Sequence, residues 1–411
     1  MFNLAISTFL LFFGMGAIGP ILSLYLVHYL HFTDIQAGMI LALSATSAII
    51  APLVGSFIAD RFVSSERLLS LCLFGASASL FLLFHVHGFW VFLCIYFFYI
   101  MLFAPCSSLN NTVIFHHIKD RKKDYGRIRV FGTLGWICVA WLFSWSRLRG
   151  GDGLLIAQRL PEAILVSAVT FAVLGFFAFF IPAKQKPNRT GKVSLLHWGS
   201  IKVIRKPQVM ALVVLAFISV VVERFYIFGS SLFLFQSGIS PSLILPFLSL
   251  GQFFEIPAML LLGLLLTRLG IRNLLMLGIS CNMARYAFFI FSEGNPLLIL
   301  SGTLFHGLAY TFFFSSAAIL LDSHSNPENR AGVHQLFNVL TIGLGSLVGS
   351  LASGTIGNML RSSSGNSIDF DRFWGMALAL CIVNLFLLVF LAGRNKRIKD
   401  SAPPLSWLDA E

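Results

Sequence analysis

Apolar stretches of membrane-crossing length recur from one end of this chain to the other, joined by connections too short to fold alone, and nothing else limits its architecture so strongly. At about 1.5 Å per residue, a helix of about 20 residues crosses a hydrocarbon core of about 30 Å. Such stretches lie near residues 4–29, 36–58, 67–86, 89–115, 124–146, 161–182, 209–235, 243–267, 273–292, 296–321, 334–358 and 373–393. Hydrocarbon offers no partner to an open peptide group, so the spans must be helices. The expected fold is an all-α membrane protein with twelve transmembrane helices.

A chain that is 57% hydrophobic and only 11% charged is no soluble domain. The net charge of +12 does not mark a nucleic-acid binder, because the basic residues are scattered through short loops. Alternate loops and the tail hold Arg61, Arg67, the Lys119 to Arg127 cluster, Lys184 to Lys206, Arg268, Arg272, Arg330 and Arg394 to Lys399. The other loops hold Arg147, Arg149, Arg159, Arg361 and Arg372. That bias, roughly four to one, predicts both termini in the cytoplasm. The start of the chain lacks a basic region and a cleavage site, so the first span is expected to stay. The six cysteines fall inside spans without ligand spacing, which predicts buried thiols, no disulfide and no metal. The sequon at Asn188 lies in a loop assigned to the cytoplasm and is discounted.

Several spans carry groups that lipid does not tolerate. In span 5, Arg129, Thr133 and Trp136 follow at i, i+4 and i+7 and share one face, offering donors, a hydroxyl and a flat ring to a polar, ring-shaped solute. The alternative is an arginine that snorkels to the interface. Span 4 holds Ser107, Ser108, Asn110 and Asn111, and one of the asparagines is expected to line a wet cavity. Near the midpoints of spans 7 to 10 stand Glu223 beside Arg224, then Glu255, Arg285 and His306. A midplane charge costs about 2.5–3.5 kcal/mol, so these groups pair structurally or serve a cavity and proton relay. Glu223 and Tyr226 share a face, as do Gln252 and Glu255, while Arg224 turns about 100° away from Glu223.

The loop after span 2, with Asp60, Arg61 and Arg67, resembles the signature loop of the major facilitator superfamily, where such residues form a cytoplasmic latch. Gly263, Arg268, Gly270 and Arg272 echo it between spans 8 and 9, which argues for two six-helix pseudo-repeats. The expected divisions are residues 1–182, a cytoplasmic linker at 183–207 with an amphipathic patch around Leu195 to Ile204, a second half at 208–393, and a tail at 394–411.

The span-5 set, Asn111-Thr112, Gln252 with Glu255, and Arg285-Tyr286 together resemble the bacterial nucleoside:proton symporters. The resemblance implies that Arg129, Thr133, Gln252 and Glu255 contact the nucleoside, with an aromatic at Trp136. The GRIRVFGTLGW stretch is also similar to the lactose-permease type of sugar:proton symporter, in which the matching arginine binds sugar and the tryptophan stacks on it. Span 10 departs from both. His306 and Thr311 stand where the nucleoside family has tyrosine and aspartate, and Ala309 stands where the permease has a glutamate. In span 7, Glu223 and Tyr226 replace amide side chains.

The resulting expectation is a secondary transporter in a bacterial inner membrane, not an enzyme, taking up nucleosides with protons by alternating access. Alternatives are a proton-coupled sugar or oligosaccharide symporter, an uncoupled facilitator, or a non-transporting receptor. Substrate contacts are assigned to Asn111, Arg129, Thr133, Trp136, Glu223, Tyr226, Gln252 and Glu255, and coupling to Glu255, Arg285 and His306, with Glu255 as proton carrier. The chain is expected to act as a monomer, with no cofactor beyond the coupling proton, a small molecule and the lipid bilayer as partners, and no nucleic acid.

Overall fold

The computed structural model describes residues 1–48, 63–118, 121–148, 158–182, 198–326, 329–363 and 367–394. Ten helices among them are long and apolar enough to cross a membrane. One, Pro241–Ile290, runs for 50 residues and contains spans 8 and 9 together, changing direction at Gly270, where φ is +76°. A loop from Arg268 to Arg272 was expected there, but a glycine in left-handed conformation redirects the chain within one residue. Asp34–Ala42 is the described start of span 2. Counting the two arms of the long helix separately gives eleven of the twelve expected spans among the described residues, and span 2 is described from its start as far as residue 48.

The helices break where the sequence removes hydrogen bonds. Span 1, Phe2–Tyr29, passes through a tight turn at Gly19–Ile21, since Pro20 has no N–H to donate. Span 4, Phe89–His117, is interrupted between Phe103 and Cys106, where Pro105 has the same effect. Span 10, Pro296–Ser323, and span 11, Arg330–Met359, each contain one wide π turn, at Thr311–Ser315 and Val339–Gly343. Span 2 opens on a capping box in which Thr33 and Gln36 satisfy each other's backbone N–H.

The chain divides into two compact units. The first comprises Met1–Leu195, Arg224–Ser249 and Ser346–Asp369. Its helices are stitched by hydroxyls donating to carbonyls: Ser70 to Gly175 at 2.6 Å, Ser77 to Ala168 at 2.7 Å and Ser167 to Gly14 at 2.7 Å. At the end opposite Met1, the wholly buried Asp34 carboxylate receives both Arg361 Nε, at 2.5 Å, and a terminal guanidinium nitrogen, at 2.6 Å. Beside it, Gln236 donates to Ile368 O at 2.8 Å and accepts from Ile368 N at 2.9 Å.

The second unit comprises Leu196–Glu223, Leu250–Gly345 and Phe370–Glu411. In it, Asn384 donates to Leu215 O at 3.2 Å and Ser219 Oγ at 2.9 Å, joining span 12, Phe370–Arg394, to span 7, Pro207–Gln236. The described part of the amphipathic patch is the helix Trp198–Ile204, and it packs on protein: Ser200 donates to Asn329 O at 3.4 Å and lies against Gly332. Buried thiols were expected throughout, but Cys94 on span 4 is exposed, among the apolar side chains that a bilayer covers, and Cys138 on span 5 is half-buried.

Candidate functional site

The polar centre of the second unit is built around Arg285, whose side chain has no solvent exposure. Glu223 reaches it from span 7, and His306 from span 10. An Arg285 terminal nitrogen donates to Glu223 Oε2 at 3.3 Å, and the other lies 2.9 Å from His306 Nδ1. His306 Nδ1 is also 3.4 Å from Glu223 Oε1. Arginine has donors only, so the 2.9 Å contact requires a lone pair on Nδ1 and places the imidazole proton on Nε2. In this arrangement the ion pair is Glu223 with Arg285, and His306 is a neutral acceptor beside it.

Tyr286 completes the cluster. Its hydroxyl accepts from Arg285 at 3.0 Å and donates to the carbonyl of Val222, the residue before Glu223, at 2.8 Å. The ring is fully buried and stacks on Trp374 of span 12, with centroids 5.4 Å apart and planes at 25°. In the sequence, Tyr286 was singled out only as part of the Arg285-Tyr286 motif, without a role of its own, and a span-12 tryptophan looks like an ordinary packing residue.

Gln252 and Glu255 lie half-buried on span 8. Span 10 approaches them closely through Gly307: a β-carbon there would stand 2.2 Å from Gly251 O and 2.7 Å from Glu255 N. The neighbour of His306 is therefore one point of contact between spans 8 and 10.

Residues of the first unit include the other expected contacts. Arg129 lies on span 5, Arg121–Arg147, half-buried, with its guanidinium carbon 4.4 Å from the centre of the Phe12 ring. Half-buried Trp136 packs on Gly16 of span 1, and Thr133 lies half-buried between them in sequence. Asn111 is half-buried and accepts from the Tyr125 hydroxyl at 3.4 Å. Its neighbour Asn110 is 2% exposed and bonded to Ser7 and Thr8, which identifies it as the packing member of the pair. Tyr226 is buried, and Arg224 donates to Ser44 Oγ at 3.3 Å, on a different heading from Glu223 as expected.

Of the latch residues, Asp60 and Arg61 lie outside the described residues, while Arg67 is exposed. A comparable cluster, not foreseen, closes the end of span 10: Asp322 accepts from Arg330 Nε at 2.7 Å and sits 2.6 Å from His334 Nε2. The acid and the arginine eight residues later were its only sequence signal.

Residues 1–396 match the family model described as Nucleoside H+ symporter. The chain is similar to the putative nucleoside transporter YegT of Escherichia coli (strain K12), 27% identical over 374 residues, with 88% of this chain and 87% of that one covered. It is also similar to the xanthosine permease of the same strain, 26% identical over 408 residues, covering 93% and 94%. The crystal structure of the nucleoside transporter NupG superposes with a TM-score of 0.84 at 20% identity, over 95% of this chain and 98% of that one. At that identity the superposition establishes the fold, which is that of the major facilitator transporters.

Proposed function

The chain belongs to the nucleoside H+ symporter family, and on that premise we propose that it imports nucleosides with protons through a coupling group of Glu223, Arg285 and His306. It is a multi-pass membrane transporter and not an enzyme. The observation that carries the assignment is the wholly buried Arg285 held against Glu223 and His306. An arginine at that depth costs several kcal/mol unless an anion compensates it. Ionised Glu223 supplies the anion. Once a proton neutralises Glu223, Arg285 keeps the neutral acceptors His306 Nδ1 and Tyr286 Oη, and the grip on its donors weakens. Donors released in that way suit the carbonyl and hydroxyl oxygens of a nucleoside, so proton binding precedes and favours substrate binding. Release of the proton to the other side restores the ion pair and expels the nucleoside.

In this scheme Glu223, which touches both Arg285 and His306, carries the proton, a role expected of Glu255 from the sequence. Glu255, with Gln252, Asn111, Arg129, Thr133, Trp136 and Tyr226, is assigned to the nucleoside. Asp60, Arg61 and Arg67 are assigned to a cytoplasmic latch. The protein acts as a monomer in the bacterial inner membrane, with both termini inside, two six-helix halves at 1–182 and 208–393, and the proton as its sole coupling species. Bacterial relatives and the loop charge bias support that placement.

Transport in proteoliposomes tests the assignment. Glu223→Gln is expected to abolish uphill uptake driven by an inward proton gradient while retaining exchange of labelled nucleoside at equal pH. Glu255→Gln is expected to weaken both fluxes by raising KM. The reverse pattern, with coupling lost only in Glu255→Gln, would return the carrier role to Glu255.

A further inference from the structure

We infer that Tyr286 is the positioning residue of the coupling group: its hydroxyl holds Arg285 in place through the half-cycle in which Glu223 is protonated. This rests on the assignment of Glu223, Arg285 and His306 to proton coupling. Tyr286 is fully buried and its oxygen is used twice, accepting from Arg285 at 3.0 Å and donating to Val222 O at 2.8 Å. The second bond anchors it to the backbone of span 7 one residue before Glu223. One oxygen atom thus ties the arginine to the peptide that carries its carboxylate, independently of the carboxylate's charge.

The ring is held as firmly as the hydroxyl. Trp374 stacks on it, Phe289 meets it edge-on with centroids 6.5 Å apart, and the Arg285 guanidinium carbon lies 4.8 Å from its centre. Trp374 and Phe289 are themselves buried, so the tyrosine cannot swing away when the ion pair weakens. Arg285 keeps its full charge when Glu223 is protonated, and the Tyr286 oxygen is an acceptor that does not change with it. A fixed neutral acceptor keeps that charge directed at the Glu223 position, ready to reform the pair when the proton leaves.

The other ionisable groups around this centre are His306 on span 10, Cys281 on span 9, Cys381 on span 12, and Glu255 on span 8, which meets span 10 at Gly307. A shift in the pH dependence of transport must therefore be assigned by substitution. Tyr286→Phe removes the acceptor and keeps the ring. Arg285 then leans more heavily on Glu223, and a proton competes less well for that carboxylate. The expected result is a displacement of the half-maximal point of pH-driven uptake toward acid by roughly half a pH unit, about threefold in proton concentration.

Phe289→Leu is the packing control, since it disturbs the same aromatic stack without touching a hydroxyl. It is expected to lower the yield of folded protein and leave the pH profile in place. Superposable profiles for wild type and Tyr286→Phe would overturn the inference, as would equal displacements in Tyr286→Phe and Phe289→Leu. Wild-type protein that ignores the proton gradient would instead overturn the coupling assignment itself, so the two failures are distinguishable.

Discussion

Asn110 accepts from Ser7 at 2.7 Å and donates to Thr8 at 3.2 Å, whereas Asn111, next to it, meets only the Tyr125 hydroxyl, at a long 3.4 Å, among its side-chain contacts described. Deleting a buried amide leaves its partners unsatisfied, at a cost of about 1–3 kcal/mol. Asn110→Ala is thus expected to lower the thermal midpoint of the purified protein. Asn111→Ala should stay within about 0.5 kcal/mol of wild type in stability and weaken nucleoside binding instead. A loss of stability in both variants, with binding unchanged, would contradict the division. The sequence made the pair legible as a polar run too dense for lipid. It could not say which member packs, because a difference of 100° around a helix decides burial only once the neighbours are known. The same limit applies at the coupling group: hydropathy located Glu223, Arg285 and His306, but periodicity gives a face and never a partner.

Spans 8 and 10 meet where Gly307 faces Gly251 and Glu255, and the obstacle to a side chain there is backbone, which cannot rotate aside. Gly307→Ala must push the two helices apart, an overpacking change that costs about 1–3 kcal/mol. The expected outcome is a lower thermal midpoint together with impaired uptake, because the helices that separate carry Glu255 and His306. Wild-type uptake and stability in Gly307→Ala would show that the contact tolerates a methyl group. The connection between spans 8 and 9 was the element least legible beforehand. Arg268 and Arg272 look like an ordinary charged loop, and the turn confined to Gly270 depends on one dihedral angle that composition does not report. Span 10 carries a second irregularity, the π turn at Thr311–Ser315, which begins where the family's aspartate would stand.

Over the whole chain, the count of spans followed directly from the bilayer as solvent, since thickness fixes length and hydrocarbon forbids unpaired backbone. Contacts between distant segments did not follow. Asp34 and Arg361 are 327 residues apart, and Arg361 had been read only as one of the few basic residues in the opposite set of loops. With the carboxylate at 0% exposure and the arginine side chain at 20%, removing one partner strands a buried charge, at a cost of about 3–5 kcal/mol. Asp34→Ala is expected to show that loss by thermal unfolding, and Asp34→Ala with Arg361→Leu to recover most of it. An additive double variant would mean that the pair contributes no coupling energy.

The burial of Arg285 also bears on how the protein is made. Glu223 precedes Arg285 by 62 residues and His306 follows it by 21. At about 5–20 residues per second, the ribosome adds the arginine roughly 3–12 s after its carboxylate. During that interval the acid belongs to a nascent chain whose arginine does not yet exist. The carboxylate of the ion pair is therefore synthesised before its arginine, and His306 is added last of the three.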